Sequence, residues 1–318
     1  MRVFVVIPCY KVKKHIKQVI DAIGPEVDAI LVVDDCCPEA SGDYVESTVD
    51  DSRVSVIRHE HNQGVGGAVI TGYREALSEG TDICVKVDGD GQMDPRLIPG
   101  LIKPILDGRA DYVKGNRFFS LSDASSMPGA RLFGNTALSF LTKLSSGYWS
   151  IFDPTNGFTA LHRAALQNLP LDKVDKRYFF ETSMLIELGA IRAKVVDMPM
   201  KASYGDEESG LKIKDILLEF ARKHLRAILR RTIYQYYVRD FSLASLHLPV
   251  GFLLTAFGVL FGGSAWATSV ASGVPATAGT VILAALPLFL GVQFILSFFA
   301  ADIASEPSIP LQSFDARD

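Results

Sequence analysis

The chain has 318 residues, with 32 Lys and Arg against 36 Asp and Glu, for a formal charge of −4. That balance excludes a general affinity for nucleic acid, and the length suits one large or two modest domains with a proper core. Four cysteines (Cys9, Cys36, Cys37 and Cys84) lack zinc-type spacing and predict reduced thiols rather than a disulfide framework.

The chain opens on a strand-like run, Val3-Phe4-Val5-Val6-Ile7, without the charged n-region and cleavage site of a signal peptide. A helix over 12–23 carries Ile16, Val19, Ile20 and Ile23, then strands are expected at 29–33 and 54–57. A helix at 66–77 and a strand at 83–87 follow, and then a helix with Leu97, Ile98, Leu101, Ile102 and Ile105. Next come a strand at 111–117, a helix running to Leu144, one with Met184, Leu185 and Leu188, and a last strand at 194–198. Such alternation predicts an α/β domain with a largely parallel sheet, whose ligands sit beyond the carboxyl ends of the strands.

Those ends are Pro8-Cys9-Tyr10, Asp34-Asp35, the glycine-rich 62–68 and Lys86-Val87-Asp88-Gly89-Asp90-Gly91-Gln92-Met93-Asp94. In the last of these, two glycines gather three carboxylates and an amide. Carboxylates so placed repel one another unless a cation lies between them, and Mg²⁺ or Mn²⁺ on a phosphate-bearing ligand suits such hard oxygens. The plain alternative is an acidic surface turn in which Asp94 caps a helix. The glycine run does not fit a dinucleotide fingerprint, because Val69 stands at its third glycine position.

Ile7-Pro8-x-Tyr10, Val32-Val33-Asp34-Asp35, Asn62-x-Gly64-x-Gly66-x-Ala68 and Asp88-x-Asp90-x-Gln92, in this order, resemble the family-2 glycosyltransferases of the GT-A fold. Within them the pattern resembles the branch of dolichol-phosphate mannose synthases and polyprenyl-phosphate glycosyltransferases. The resemblance covers roughly the first two thirds of the chain and implies a Rossmann-like domain that takes a nucleotide-sugar donor. It implies that Pro8, Tyr10, Asp35, Asn62, Gly64, Lys86 and Asp88 meet the donor, and that Asp88, Asp90 and Gln92 hold Mg²⁺ or Mn²⁺. Arg117 and Arg131, with Asn135 and Thr155, are implied at the acceptor's phosphate, where a guanidinium fork donates bidentately. Asp90, Arg117, Arg131 and Glu181 form the implied catalytic set, although a glutamate at a helix start also suits the helix dipole. The chain departs from the family's pattern at Lys11-Val12, at Cys36-Cys37 and at Asn156 of the turn Asp153-Pro154-Thr155-Asn156-Gly157-Phe158. No Gln-x-x-Arg-Trp follows, which separates it from processive polysaccharide synthases. The acidic run 205–210 reads as a mobile loop near the site's mouth.

From Phe241 to Ala301 there is no Asp, Glu, Lys or Arg, a stretch long enough for two spans of ~20 residues. Before it, 212–231 carries Lys212, Lys214, Arg222, Lys223, Arg226, Arg230 and Arg231 along an amphipathic helix suited to a bilayer interface. The positive-inside rule puts these charges, and the domain before them, on the cytoplasmic side of the cell (inner) membrane. The expected organisation is a GT-A domain at 1–210, juxtamembrane helices at 211–240, two transmembrane helices at 241–303 and a cytoplasmic tail at 304–318. The expected activity is metal-dependent, inverting transfer of one hexose from a UDP-glucose- or GDP-mannose-type donor to a polyprenyl phosphate, serving envelope glycans. Transfer to a hydroxyl of a lipid-linked saccharide or surface glycan is the first alternative. A non-catalytic membrane scaffold is the second. Gly258, Gly262 and Gly263 fit either a homo-oligomer contact or packing of the hairpin on itself.

Overall fold

Every residue of the first strand, β1 (Val3–Cys9), is buried. Val3, Val5 and Ile7 enter one apolar cluster, while Phe4 and Val6 enter another on the opposite face. A strand covered on both sides must read this way, because successive side chains point to opposite faces. The computed structural model describes residues 1–118, 129–200 and 213–314, with the side chains of 129–133 and 213–217 outside that description. The chain divides into two units, Met1–Ile228 with Pro307–Asp318, and Leu229–Glu306.

In the first unit β1 is joined by β2 (Ala29–Asp34), β3 (Val54–Arg58), β4 (Ile83–Lys86), β5 (Tyr112–Asn116), β6 (Thr159–His162) and β7 (Val195–Pro199). The sheet order is β3-β2-β1-β4-β6-β5-β7. The first four strands are parallel to one another, β6 runs antiparallel to both neighbours, and β7 is parallel to β5. Helices α1 (Ile16–Asp21), α2 (Ser41–Thr48) and α4 (Ile98–Leu106) cover one face. Helices α3 (Val65–Ser78), α6 (Arg163–Asn168) and α7 (Phe180–Ala190) cover the other. Between β5 and β6 runs α5 (Gly129–Ser146).

Two details differ from the sequence expectation. Helix α1 begins at Ile16 rather than at 12, because Lys11 takes a left-handed backbone (φ 58°) and the chain turns before the helix starts. The four-residue β6 has too little sequence for a periodic signal, and its reversed direction puts an antiparallel strand into a sheet expected to be largely parallel.

The division between units falls inside α8 (Ile213–Ile233). The second unit continues through a π-helical stretch, Tyr234–Arg239, into α9 (Leu243–Ser272) and α10 (Ala278–Ala304). These last two are 30 and 27 residues long, and apolar enough to cross a membrane. They pack as a hairpin through small residues. A Cβ on Gly258 would lie 2.8 Å from Leu288 Cβ, whereas one on Gly263 would meet nothing within 4 Å. Gly258 therefore packs the hairpin on itself. At the hairpin's base Asp302 is almost fully buried and accepts a bidentate pair from Arg231 at 2.9 and 2.7 Å, joined by the Tyr236 hydroxyl. Beyond the hairpin, the backbone N–H groups of Leu311 and Gln312 donate to the buried Asp111 carboxylate of the first unit at 2.8 and 3.1 Å.

Candidate active site

The carboxyl ends of β1, β2 and β4 open on a cleft of about 620 Å³ lined by Pro8, Tyr10, Asp35, Asn62, Gly64, Asp88, Asp90, Thr155 and Glu181. Nine of the residues expected at the site thus meet in one hollow of a size usual for small-molecule ligands. A second hollow of about 710 Å³ is larger, but of the expected residues it takes only Gln92. Its carboxylate Asp94 is bound to the neighbouring Arg96 and caps the turn there, as the plain reading held.

The two aspartates that end β2 do different work. Asp34 accepts backbone N–H bonds from Cys37 (2.7 Å) and Gly42 (2.6 Å), which pins the start of α2. Asp35 is 2% exposed, and both its oxygens are engaged. They accept from the N–H groups of Gln63 (2.8 Å) and Gly64 (2.7 Å), and His59 Nδ1 lies 2.7 Å away. The other His59 nitrogen meets Thr71 Oγ1 at 2.8 Å, and the Asn62 amide donates to the Asp35 carbonyl at 3.1 Å. Asp35 thus reaches the cleft wall mainly as the organiser of the glycine loop. His59 was not expected; its sequence signal was its place one residue past β3, as Asp35 stands one residue past the neighbouring β2.

Cys37 ties the exit of β1 to α2: its sulfur accepts from Lys11 N–H and lies 3.1 Å from both that nitrogen and Ser41 Oγ. Partial burial pushes its thiol up, but the Ser41 and backbone hydrogen bonds outweigh this and hold it below its ordinary value. All four cysteines are free.

Lys86 does not reach the cleft. It is 1% exposed, on the sheet face covered by α3 and α7, beneath the cleft floor. Its ammonium lies 2.7 Å from Asp88 Oδ1 and 3.4 Å from Glu181 Oε1. Burial alone lowers the pKa of an ammonium; here Asp88 and Glu181 overcome it and raise the value above the ordinary one. Lys86, expected to meet the donor, is thus absent from the cleft lining and pairs instead with two cleft carboxylates. Gly157 makes room for the pair, since a Cβ there would collide with Lys86 Nζ and lie 2.6 Å from Asp88 Oδ2.

The residues expected at the acceptor separate. The Arg117 fork donates to both oxygens of the fully buried Asp153 at 2.8 and 3.0 Å and to Thr155 Oγ1 at 3.2 Å. Arg117 is absent from the cleft lining, and so is Asn135, which is half-buried on α5. Arg131 lies in the first turn of α5 with its side chain outside the described residues, as does the whole run 205–210. Two lining residues were not foreseen, Arg177 and Tyr178. Their signal was their place just before Glu181, on the approach to the same helix.

Among the described residues no three His, Cys, Asp or Glu side chains gather as a cage for a metal. The cleft offers a sparser set, the hard oxygens of Asp88 and Asp90 on one turn, with the Gln92 N–H donating to Asp90 at 2.9 Å. One or two carboxylates are what a protein contributes when phosphate oxygens and water complete the shell of Mg²⁺ or Mn²⁺, so the donor set fits such an ion.

Comparison with known proteins agrees with this geometry. The family model described as glycosyl transferase family 2 matches residues 4–169. Among similar proteins is the UDP-N-acetylglucosamine–dolichyl-phosphate N-acetylglucosaminyltransferase of Methanococcus voltae, 32% identical over 64% of this chain and 86% of that protein. Another is the undecaprenyl-phosphate mannosyltransferase of Micrococcus luteus, 30% identical over 63% and 83%. Of solved structures, glucosyl-3-phosphoglycerate synthase from Mycobacterium tuberculosis with Mn²⁺, UDP and glucosyl-3-phosphoglycerate superposes with a TM-score of 0.52. That likeness covers 72% of this chain and 79% of the other at 22% identity, and it is one of fold, GT-A. By its matched model, its relatives and its fold, the chain belongs to glycosyltransferase family 2.

Proposed function

We propose that this glycosyltransferase moves one hexose, or an N-acetylated hexosamine, from a nucleotide-sugar to a polyprenyl phosphate at the cytoplasmic surface of a membrane. The observation that carries this reading is the union, in one chain, of a cleft holding Asp88, Asp90 and Glu181 with a hairpin of two apolar helices. The names of the relatives from Methanococcus voltae and Micrococcus luteus support the lipid phosphate as acceptor. The basic residues of α8 favour the cytoplasmic face by the positive-inside rule.

Pro8, Tyr10 and the glycine loop braced by Asp35 would seat the nucleoside. Asp88, Asp90 and Gln92 would hold Mg²⁺ or Mn²⁺, which when bound supplies positive charge to the departing nucleoside diphosphate. Lys86 holds Asp88 and Glu181 in place from beneath. Arg131, and Arg117 if its pair with Asp153 opens, would orient the acceptor phosphate. A phosphate oxygen is already anionic near neutral pH and attacks without a base, with inversion at the sugar carbon. Glu181 supports the second reading, transfer to a hydroxyl, because that acceptor needs a base at this place.

The test is the purified chain in detergent with polyprenyl phosphate, Mn²⁺ or Mg²⁺ and a panel of UDP- and GDP-sugars including UDP-N-acetylglucosamine. Expected is glycolipid formed from one donor and reduced at least 10²-fold in Asp90→Ala. Donor turnover without sugar on the lipid phosphate overturns the acceptor assignment.

A further inference from the structure

The cleft's charged lining is acidic except at one point. Asp35, Asp88, Asp90 and Glu181 face it, and Arg177 is the sole basic side chain among the described residues that line it. Two other described cations near it are committed: Lys86 lies under the floor between Asp88 and Glu181, and the Arg117 fork is held by Asp153. Among the described residues the Arg177 guanidinium has no hydrogen bond or ion pair; only its backbone is engaged, the N–H donating to Asp175 Oδ1 and the carbonyl accepting from Phe180 N–H, both at 2.9 Å.

An exposed arginine on a loose loop would need no explanation, but this one sits on a braced segment. The Lys176 carbonyl accepts from Gly67 N–H at 3.2 Å, and Lys176 Nζ donates to Gln63 Oε1 at 3.1 Å. Asp175 N–H donates to Ser183 Oγ at 2.8 Å, and the Asp175 carboxylate pairs with Lys223 at 2.5 Å. The arginine stem lies over Gly64, where a Cβ would come within 3.0 Å of Arg177 Cγ and would collide with the Lys176 carbonyl. Gly64 has φ 88°, so the glycine loop is shaped to receive this segment. The segment and the loop together aim a guanidinium with unspent donors at a cleft otherwise lined by carboxylates.

We propose that Arg177 is a substrate-binding residue that donates to phosphate oxygens of the bound substrate. Its planar fork suits two oxygens of one phosphoryl group, and its charge offsets the like charge of the aspartates around it. The phosphoryl group belongs either to the nucleoside diphosphate of the donor or to the acceptor lipid. The identity of the acceptor rests on the function proposed above; the phosphate contact does not.

The experiment compares the full chain with Arg177→Gln and Arg177→Lys, in detergent with Mn²⁺. Binding of UDP and of GDP alone is measured by calorimetry, followed by KM for the sugar donor and for polyprenyl phosphate. A donor contact weakens nucleoside diphosphate binding roughly 10- to 100-fold in Arg177→Gln, with partial rescue by Arg177→Lys and an unchanged melting temperature. An acceptor contact leaves that binding alone and raises KM for the lipid phosphate by a similar factor. Weakened nucleotide binding in a protein that forms no glycolipid upholds the contact and sinks only the lipid acceptor. Nucleotide affinity and both KM values within twofold of wild type in Arg177→Gln would overturn the proposal, whatever the acceptor proves to be.

Discussion

The sheet buries one lysine on each side of β6, and the two sides treat their lysines oppositely. Lys86 on β4 and Lys114 on β5 both pair in register with Thr159, and each is at most 1% exposed. On the β4 side the ammonium has two carboxylates, Asp88 and Glu181, and its pKa is raised despite burial. On the β5 side Lys114 donates to the Asn156 carbonyl, and the nearby Asp153 is occupied by Arg117. Burial there prevails and pushes Lys114 down to about 8. The same residue type at the same depth is thus a permanent charge beside the cleft in one place and a titrating strut under the turn 153–158 in the other. Partners decide the outcome.

Removing Lys86 should have the largest effect on the comparison. In Lys86→Met, Asp88 and Glu181 lose the cation between them, and breaking a buried pair from one side costs about 3–5 kcal/mol. Denaturant unfolding should register that loss, and any folded protein should lose most of its turnover. An unchanged unfolding midpoint would mean that the two carboxylates do not depend on this ammonium.

Lys114→Met should act the other way. Because the folded-state value lies near 8 and the ordinary one at 10.5, the folded protein binds this proton less well than the unfolded chain between those limits. Wild-type stability should therefore rise relative to Lys114→Met as pH climbs from about 8 to 10.5, by about 3 kcal/mol in all. Below pH 8 the ammonium carries its full desolvation cost, so the variant should be at its relative best there. A difference between the two proteins that stays flat across this range would show that Lys114 is not held against its charge.

This contrast also marks how far the sequence could be read. The strands from β1 to β4 and the loops at their ends were legible because each has its own periodic run and its own motif; nine of the expected residues meet in the cleft. The burial of Lys86 was not legible, since a lysine at the end of a strand looks the same whether it faces a ligand or a buried carboxylate. What separates the two is Glu181, ninety-five positions away. The pairing of Arg117 was hidden for the same reason, because its partner Asp153 belongs to a turn whose contacts are set by the reversed β6. The helical hairpin was legible from length and hydropathy alone. The closure of Asp302 on Arg231 and of Asp111 on Leu311 was not, since each joins chain segments without any periodic relation.

Glu181→Gln should be milder than the loss of Lys86, for its oxygen is 3.4 Å from the ammonium while Asp88 keeps the shorter contact of 2.7 Å. A stability cost of about 1 kcal/mol is expected by chemical denaturation. Its kinetic effect separates the two acceptor readings: within about threefold for a lipid phosphate, and roughly 10²- to 10⁴-fold for a hydroxyl that needs a base.

The smallest expected effect lies farthest from the lysines, where α8 meets the approach to α7. Lys223 pairs with Asp175 at 2.5 Å and with Glu219 at 2.6 Å, while His224 packs against Phe179 and bonds Ser145 Oγ at 3.0 Å. The Lys223 and Asp175 side chains are 27% and 20% exposed, so solvent screens the pair, and Lys223→Ala should cost about 0.5–1 kcal/mol. Because Asp175 braces the segment carrying Arg177, Tyr178 and Glu181, the kinetic cost should exceed the thermodynamic one. A rise of a few-fold in KM for a substrate with little change in melting temperature is the expected result. A variant that loses stability but keeps its KM values would show instead that α8 supports the domain without steadying the cleft.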